Sequence, residues 1–217
     1  MCAQFTVKTN KAELEALGIE VGQSFESIND RFLPSKVAPV FVKSRDNIKL
    51  TGMRFSLIPS WSKEPKVKFA THNARIETVL EKPTWKIPFA KQHCVIPMTG
   101  FYESVYEGPI AGNIIQFHKP DESLLFAAGI FDYWKNPEND SDHFYSFSIL
   151  TTEPTDFILQ NGHDRSPIFL DWSRALTWLD FYKPPQSQVD FLLSEQVRPE
   201  LIVEVDRPLK PGWEKRK

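Results

Sequence analysis

The sequence predicts an α+β fold in which a mainly antiparallel sheet closes into a barrel or sandwich and short helices flank it. The chain has 217 residues, a length typical of one large domain. Stretches rich in strand formers outnumber the helical ones, and three of them follow one another as a meander in the second half. No repeat, low-complexity tract or linker divides the sequence. We therefore predict a single domain over residues 1–217.

The first half of the chain combines a few clear strands with short helices. Turn residues, prolines and alternating apolar positions mark the boundaries. The predicted elements are a helix at 11–17 ended by Gly18, irregular chain at 25–36, strands at 37–44 and 48–58, a lysine-rich loop at 59–68, a helix at 73–81 with Asn73 as its N-cap, and a short helix at 83–91.

The second half is dominated by strands. The predicted strands are 93–104 in two pieces broken at Pro97 and Gly100, then 113–118, 124–134, 143–151 and 201–205. Short helices are predicted at 152–159, 171–181 and 188–196, with a polar loop at 160–167. Cys94 lies within an apolar strand, so we interpret it as a packing residue.

Composition excludes several classes of protein. Apolar residues make up 41% and charged residues 25%, an ordinary globular balance. With two cysteines, we expect neither a disulfide framework nor a zinc site of four protein ligands. The N-terminal stretch lacks the apolar core of a signal peptide, and no later run is long enough to span a membrane. We expect a cytoplasmic, monomeric protein without a metal, cofactor or membrane partner.

Charge is balanced overall but unevenly distributed. The net charge is −2, which gives no general indication of nucleic acid binding. Between residues 60 and 91, however, seven basic residues face only three acidic ones. Such a run is often only a solvated surface, so it permits a nucleic-acid interface without requiring one.

The most unusual feature is the start, Met1-Cys2. Removal of Met1 would leave Cys2 with a free amine and a thiol on adjacent carbons. Their ordinary pKa values, about 7.7–8 and about 8.5, keep both partly nucleophilic near neutral pH. With an aldehyde, the amine can form an imine and the thiolate can close on the same carbon, which gives a stable thiazolidine. Alternatively, Cys2 is only a small residue at a loose terminus.

Three further stretches carry polar groups that the fold does not need. Arg75 lies in the first turn of the predicted 73–81 helix, where a cation opposes the helix dipole and suggests an anionic partner. Glu103 follows an aromatic pair and suits proton transfer, unless it lies on the solvent face. His163 lies in a loop beside Arg165, where it could transfer protons or be a bystander. His72, His93, His118 and His143 are interpreted as bystanders.

An ordered set of motifs resembles the SOS response-associated peptidase (SRAP) family. The set covers about residues 1–181 and comprises Met1-Cys2, MRFSLIPSW (53–61), NARIET (73–78), EKPTW (81–85), CVIPMTGFYE (94–103), AAGIFD (127–132), ILTTEP (149–154) and HDRSP (163–167). Each motif alone is weak, but their order is specific.

The resemblance implies an SRAP-like fold and covalent capture of abasic sites in single-stranded DNA, through a thiazolidine between Cys2 and the ring-opened sugar. By motif matching, Asn73 holds the N-terminus or the sugar, Glu103 shuttles protons and His163 assists Schiff-base, lyase-like chemistry. The remaining residues are implied in DNA binding: Arg75 and Arg165 at phosphates, and Trp61 in stacking on a base.

The sequence departs from the family at several positions. Ala3-Gln4 replaces the usual Gly-Arg after the cysteine, Ser104 replaces an aromatic and Ser166 a frequent methionine. These changes affect the expected DNA affinity more than the reaction type. Two other functions stay open: a cysteine peptidase or hydrolase that uses the same Cys2 site, autocatalytically or on other proteins, and a noncovalent nucleic-acid binding module.

Overall fold

A computed structural model describes residues 2–216, apart from the Arg216 side chain. Met1 and Lys217 lie outside the described residues. The helices are all short, and most begin where the local sequence favours it. The helices are α1 (Lys11–Ala16), α2 (Pro83–Lys91), α3 (Asp156–Gln160), α4 (Trp172–Trp178) and α5 (Pro185–Glu195), with 3₁₀ turns at Ile76–Thr78 and Trp213–Arg216. At the start of α1, the Asn10 side chain accepts from the Glu13 N–H, and the Glu13 carboxylate accepts from the Asn10 N–H.

Strands form most of the molecule. They are β1 (Gln4–Asn10), β2 (Ile19–Glu20), β3 (Ser27–Phe32), β4 (Val37–Ser44), β5 (Asn47–Phe55), β6 (Asn73–Arg75), β7 (His93–Met98), β8 (Gly100–Val105), β9 (Asn113–His118), β10 (Leu125–Asn136), β11 (Asn139–Thr152), β12 (Ser166–Pro167), β13 (Phe169–Leu170) and β14 (Ile202–Pro208). The α+β class, the mainly antiparallel pairing and the short flanking helices predicted from the sequence are confirmed.

Two sheets organise these strands. Strands β4, β5, β11, β10 and β7 form a five-stranded barrel, which closes because β5 pairs in parallel with β11. The other pairings around this ring are antiparallel. The second sheet is wholly antiparallel, in the order β14-β9-β8-β1-β3. The sheets are joined at β7 and β8, which are separated only by Thr99.

The barrel strands contribute buried side chains to two cores. One face shares a core with the antiparallel sheet, built around Phe5, Phe55, Phe101 and Phe147. The other face packs against the helices through a second core. Continuous burial of β7 on both faces explains why the five residues after His93 are apolar, without strand alternation. Cys2 belongs to the first core, at the place where the two sheets meet.

Several sequence-based predictions are wrong in instructive ways. Residues 73–81 do not form a helix: Asn73–Arg75 is a strand paired in parallel with Ile149–Thr151, and only the 3₁₀ turn follows. Asn73 is therefore not an N-cap, and Arg75 does not lie in a helical turn. Tertiary pairing overrides the local preference here. Part of the stretch predicted to be irregular, 25–36, is strand β3, and β1 lies beside it.

Candidate active site

Cys2 is almost completely buried. Its exposed fraction is 1%, and its Sγ donates a hydrogen bond to the Gln4 carbonyl at 3.7 Å. Burial raises the pKa of the Cys2 thiol, and the nearby negative charge of Glu103 raises it further. The thiol therefore stays protonated at neutral pH in this environment.

Asn73 holds the backbone at Cys2. Its Nδ2 donates to the Cys2 carbonyl oxygen at 2.9 Å, and the residue is buried. The side chain reaches Cys2 because strand β6 pairs with β11 at the wall of the barrel. The Oδ1 atom of Asn73 is also buried and accepts no hydrogen bond from the residues that the structure describes. Asn73 thus anchors the chain at Cys2.

Glu103 and His163 form a buried acid–imidazole pair. The Glu103 Oε2 lies 2.9 Å from the His163 Nε2, and the residues are 4% and 9% exposed. Glu103 faces the core because it shares a face of β8 with Phe101 and Val105. A proton can pass between these two groups without leaving the protein. The structure brings the two residues together, and their role in proton transfer stays a prediction.

The loop at His163 orients its ring. Gly162 has φ +85°, a conformation that side chains disfavour, and an added Cβ would lie 2.7 Å from a Val105 methyl carbon. The His163 Nδ1 lies 3.1 Å from the Arg165 carbonyl oxygen and 3.3 Å from the Arg165 nitrogen. When Glu103 is ionised, the His163 Nε2 carries a proton that it donates to the carboxylate. In the neutral ring, the His163 Nδ1 then accepts from the Arg165 N–H; in the charged ring, it donates to the Arg165 carbonyl.

The two arginines predicted to bind phosphate differ in their surroundings. The Arg75 side chain is exposed at the end of β6. The Arg165 side chain is 9% exposed, and its guanidinium donates to both Glu77 carboxylate oxygens at 2.9 and 2.8 Å and to the Thr151 carbonyl at 2.8 Å. Arg75 is therefore open to solvent, whereas Arg165 is engaged within the protein.

Trp61 lies in an exposed basic loop. Trp61 is 56% exposed, and the neighbouring lysines, Lys63, Lys66 and Lys68, are exposed as well. The loop is anchored where the Ser60 N–H donates to the Asp132 carboxylate at 2.8 Å and the Trp134 indole donates to the Ser62 carbonyl at 2.8 Å. An exposed indole among lysines on an anchored loop suits stacking on a base beside a phosphate backbone.

The structure adds one residue that sequence reasoning dismissed. His72 directly precedes Asn73, and its ring packs edge-on against Phe55 at 6.0 Å between centroids. Burial lowers the pKa of His72, and the charge of Glu103 partly opposes this shift. The imidazole therefore lies within electrostatic range of the site. Adjacency to Asn73 was the only sequence signal that could have indicated it.

Cys2, Asn73, Glu103 and His163 come from four separate segments and meet where the barrel joins the antiparallel sheet. Between residues 2 and 216, no group of three or more His, Cys, Asp or Glu side chains is arranged to hold a metal ion. In the same described range, no helix is long and apolar enough to cross a membrane. The arrangement defines a protein with an acid–imidazole pair beside a buried cysteine at the N-terminal end.

Comparison with known proteins identifies the family. The model described as SOS response associated peptidase (SRAP) matches residues 1–206, so the chain belongs to this family. It is 30% identical over 207 residues to the abasic site processing protein YoqW of Bacillus subtilis, with 89% of this chain and 85% of that protein covered. It is also 35% identical over 175 residues to the abasic site processing protein HMCES of Pongo abelii, covering 66% of this chain and 49% of that protein.

Solved structures share the fold. A protein from Bordetella bronchiseptica superposes with a TM-score of 0.75 at 21% identity, covering 95% of this chain and all of that one. A protein from Bacteroides thetaiotaomicron gives a TM-score of 0.73 at 21% identity, with 95% and 92% covered. These similarities extend over nearly the whole chain and agree with an SRAP-like α+β architecture.

Proposed function

We propose that this protein acts inside the cell on single-stranded DNA, where Cys2, once Met1 is removed, captures the aldehyde of an abasic site as a thiazolidine. The family membership and the names of the relatives, abasic site processing proteins, support this class of substrate. The observation that carries the proposal is the Glu103–His163 pair at 2.9 Å beside Cys2, whose carbonyl Asn73 holds at 2.9 Å.

The reaction has two bond-forming steps. The Cys2 amine adds to the aldehyde carbon of the ring-opened sugar, and loss of one water leaves an imine. The Cys2 sulfur then adds to the same carbon while a proton moves to the nitrogen, which closes the five-membered ring. The adduct therefore contains the protein and the DNA minus one water, and no oxidant or reductant is required.

Each neighbouring residue has a role in this proposal. Asn73 fixes the Cys2 backbone so that the amine and thiol point to one carbon. Glu103 transfers protons during ring opening, water loss and ring closure, and His163 supplies or removes its proton and assists reversal. Arg75 and Trp61 hold the flanking strand, whereas Arg165 meets a phosphate only if it leaves Glu77.

The test uses purified protein, shown by mass spectrometry to lack Met1, and a single-stranded oligonucleotide with one abasic site. A denaturing gel and the mass of the shifted band report the adduct. We expect a heat-stable species on the Cys2 peptide, lighter than the sum of its parts by one water. Cys2→Ala should give none, because this variant keeps the amine but lacks the thiol, so the ring cannot close.

Cys94→Ala is the matched control, since Cys94 is the second cysteine and is also fully buried. It should crosslink like the unmodified protein. A borohydride-reduced abasic site, which has no aldehyde, should not react. If Cys2→Ala still crosslinks, the thiazolidine assignment is wrong. If the protein lacking Met1 binds the strand but forms no adduct, it is a noncovalent binding module instead.

A peptidase function has weaker support from the geometry. A cysteine peptidase requires a base that lowers the pKa of its thiol, whereas the environment here raises the pKa of Cys2. The hydrogen bond that the structure gives to the Cys2 Sγ ends on the Gln4 carbonyl, and the His163 Nε2 faces Glu103. Cleavage of a peptide library that depends on Cys2, without any DNA adduct, would reverse this order of preference.

A further inference from the structure

An arginine-centred cluster lies on the face of the antiparallel sheet opposite to the core. The Arg31 guanidinium carbon lies 3.5 Å from the centroid of the Tyr102 ring, and its Nε donates to the Gln4 Oε1 at 3.0 Å. Its Nη1 lies 3.0 Å from each Asp206 carboxylate oxygen. We call these four residues the Arg31 cluster. It is a charged, preorganised feature that the reaction at Cys2 does not use.

The Arg31 cluster adjoins the candidate active site. Gln4 follows Cys2 by two residues, so its Cα lies at most about 7 Å from that of Cys2. Tyr102 pairs with Gln4 across β8 and β1 and directly precedes Glu103. The Arg31 guanidinium thus lies over β1, which follows Cys2, and β8, which contains Glu103. It lies on the face of the sheet opposite to the Glu103 side chain.

Arg31 has more donors than the protein satisfies. A guanidinium has five N–H donors in a planar fork. Nε is used by Gln4 and Nη1 by Asp206, whereas Nη2 is buried and has no acceptor among residues 2–216. Once Asp206 moves away, a phosphate can match the exposed part of this fork through two oxygens at once. The stacking on Tyr102 keeps the fork in one orientation, which reduces the entropy cost of binding an anion.

Asp206 is placed as an internal substitute for such an anion. It is the extra residue of a bulge in β14, where the pairing shifts between Val205 and Arg207, and a bulge redirects the side chain it contains. The Arg31 and Asp206 side chains are 22% and 23% exposed, so the pair lies at the solvent boundary. Arg207, 55% exposed, lies 3.7 Å from the same carboxylate. Movement of Asp206 would leave two arginines facing an incoming phosphate.

We propose that Arg31 binds a phosphate of the single strand beside the captured nucleotide, and that Asp206 occupies Arg31 while no DNA is bound. This inference rests on the proposed function, because it assigns the strand that reaches Cys2 to this face. Gln4 and Tyr102 position the guanidinium. Asp206 acts as a competitor, which makes DNA binding weaker and more selective for strands that can displace it.

The test measures noncovalent binding to a fluorescent, undamaged single-stranded oligonucleotide at several salt concentrations. Arg31→Gln should weaken binding by about tenfold, as expected for loss of hydrogen bonds to a charged group. The slope of log K against log salt should fall by about 0.7, which corresponds to one phosphate contact on a single strand. Arg31→Lys keeps the charge and loses the fork, so it should retain the slope with weaker binding.

Asp206→Asn should tighten binding by about two- to fivefold, since it removes a partly exposed competitor. In the double variant Arg31→Gln/Asp206→Asn this gain should disappear, because the competitor acts only through Arg31. Lys43→Gln is the matched control: Lys43 is also ion-paired, with Asp180, but lies on the barrel strand β4. It should change neither affinity nor slope. Thermal unfolding of each variant shows that the fold is retained.

The outcomes separate this inference from the proposed function. If the protein lacking Met1 crosslinks an abasic oligonucleotide but Arg31→Gln binds with unchanged affinity and slope, the inference fails and the function stands. If no crosslink forms but Arg31→Gln and Asp206→Asn change binding as expected, the phosphate site stands and the covalent reaction fails. A gain from Asp206→Asn that persists in the double variant refutes competition through Arg31.

Discussion

The ion pair between Arg165 and Glu77 provides the sharpest test of which arginines serve DNA and which serve the fold. The Arg165 side chain is 9% exposed and that of Glu77 is 43% exposed. Removing one partner of a buried pair costs about 3–5 kcal/mol. Because water screens the exposed carboxylate, we expect Glu77→Gln to cost about 1–2 kcal/mol. In a chain of this size, that lowers the melting temperature by about 2–8 °C.

Arg165→Met and Arg75→Met form a matched pair for the DNA assay. Arg165→Met should lower the melting temperature and leave the salt slope of single-strand binding unchanged, since its guanidinium faces Glu77. Arg75→Met should leave the melting temperature nearly unchanged, because substitution at an exposed position changes stability by less than about 0.5 kcal/mol. It should lower the salt slope by about 0.7, because one phosphate contact is lost.

The measurements are differential scanning calorimetry of the free proteins and fluorescence anisotropy with an undamaged strand over a salt series. The double variant Glu77→Gln/Arg165→Met should be more stable than Glu77→Gln alone, because no buried charge is left without its partner. The reasoning is refuted if Glu77→Gln does not change the melting temperature. A salt slope that falls in Arg165→Met would show that Arg165 leaves Glu77 and contacts phosphate.

Three further predictions concern the site itself. Glu103→Gln should slow crosslink formation by about a hundredfold, the lower range for a general acid–base, and an unchanged rate in a quenched-flow time course would remove Glu103 from the mechanism. His163→Ala should change the rate at which the crosslink forms or reverses, measured by release into excess unlabelled abasic strand; identical rates would make His163 a bystander. Burial raises the pKa of the Cys2 and Cys94 thiols. Their contribution to stability is therefore complete below the ordinary thiol pKa of about 8.5 and is lost as pH rises above it, by about 1.4 kcal/mol per pH unit for each thiol. Urea unfolding between pH 8 and 10 should show this decline, and Cys94→Ala should reduce it by about half.

Much of the fold was predictable because its elements are marked locally. Strands Val37–Ser44 and Asn113–His118 and helix Pro83–Lys91 have the bounds expected from proline, turn residues and alternation. Strand β1 also carries a signal, since Phe5, Val7 and Thr9 alternate with more exposed residues.

What sequence reasoning could not supply is long-range pairing. Asn73–Arg75 becomes a strand only because β11, more than seventy residues further along the chain, offers its edge. The same pairing carries Asn73 to Cys2 and leaves His72 beside the site. Likewise, HDRSP indicates polar groups in a loop but not that Arg165 would turn to Glu77. Motif matching found these residues, but only the assembled fold shows their partners.

The environment of Cys2 favours one order of events in the proposed reaction. A thiol whose pKa is raised by burial and by the charge of Glu103 is a poor nucleophile at neutral pH, so it does not attack first. The amine freed by removal of Met1 reacts first, and the imine nitrogen that results is cationic when protonated. That cation opposes the charge of Glu103 and favours the thiolate, so the sulfur becomes reactive only after the aldehyde is bound. A free thiol reagent should therefore label Cys2 slowly before DNA is added, even though the adduct forms readily once the abasic strand is present.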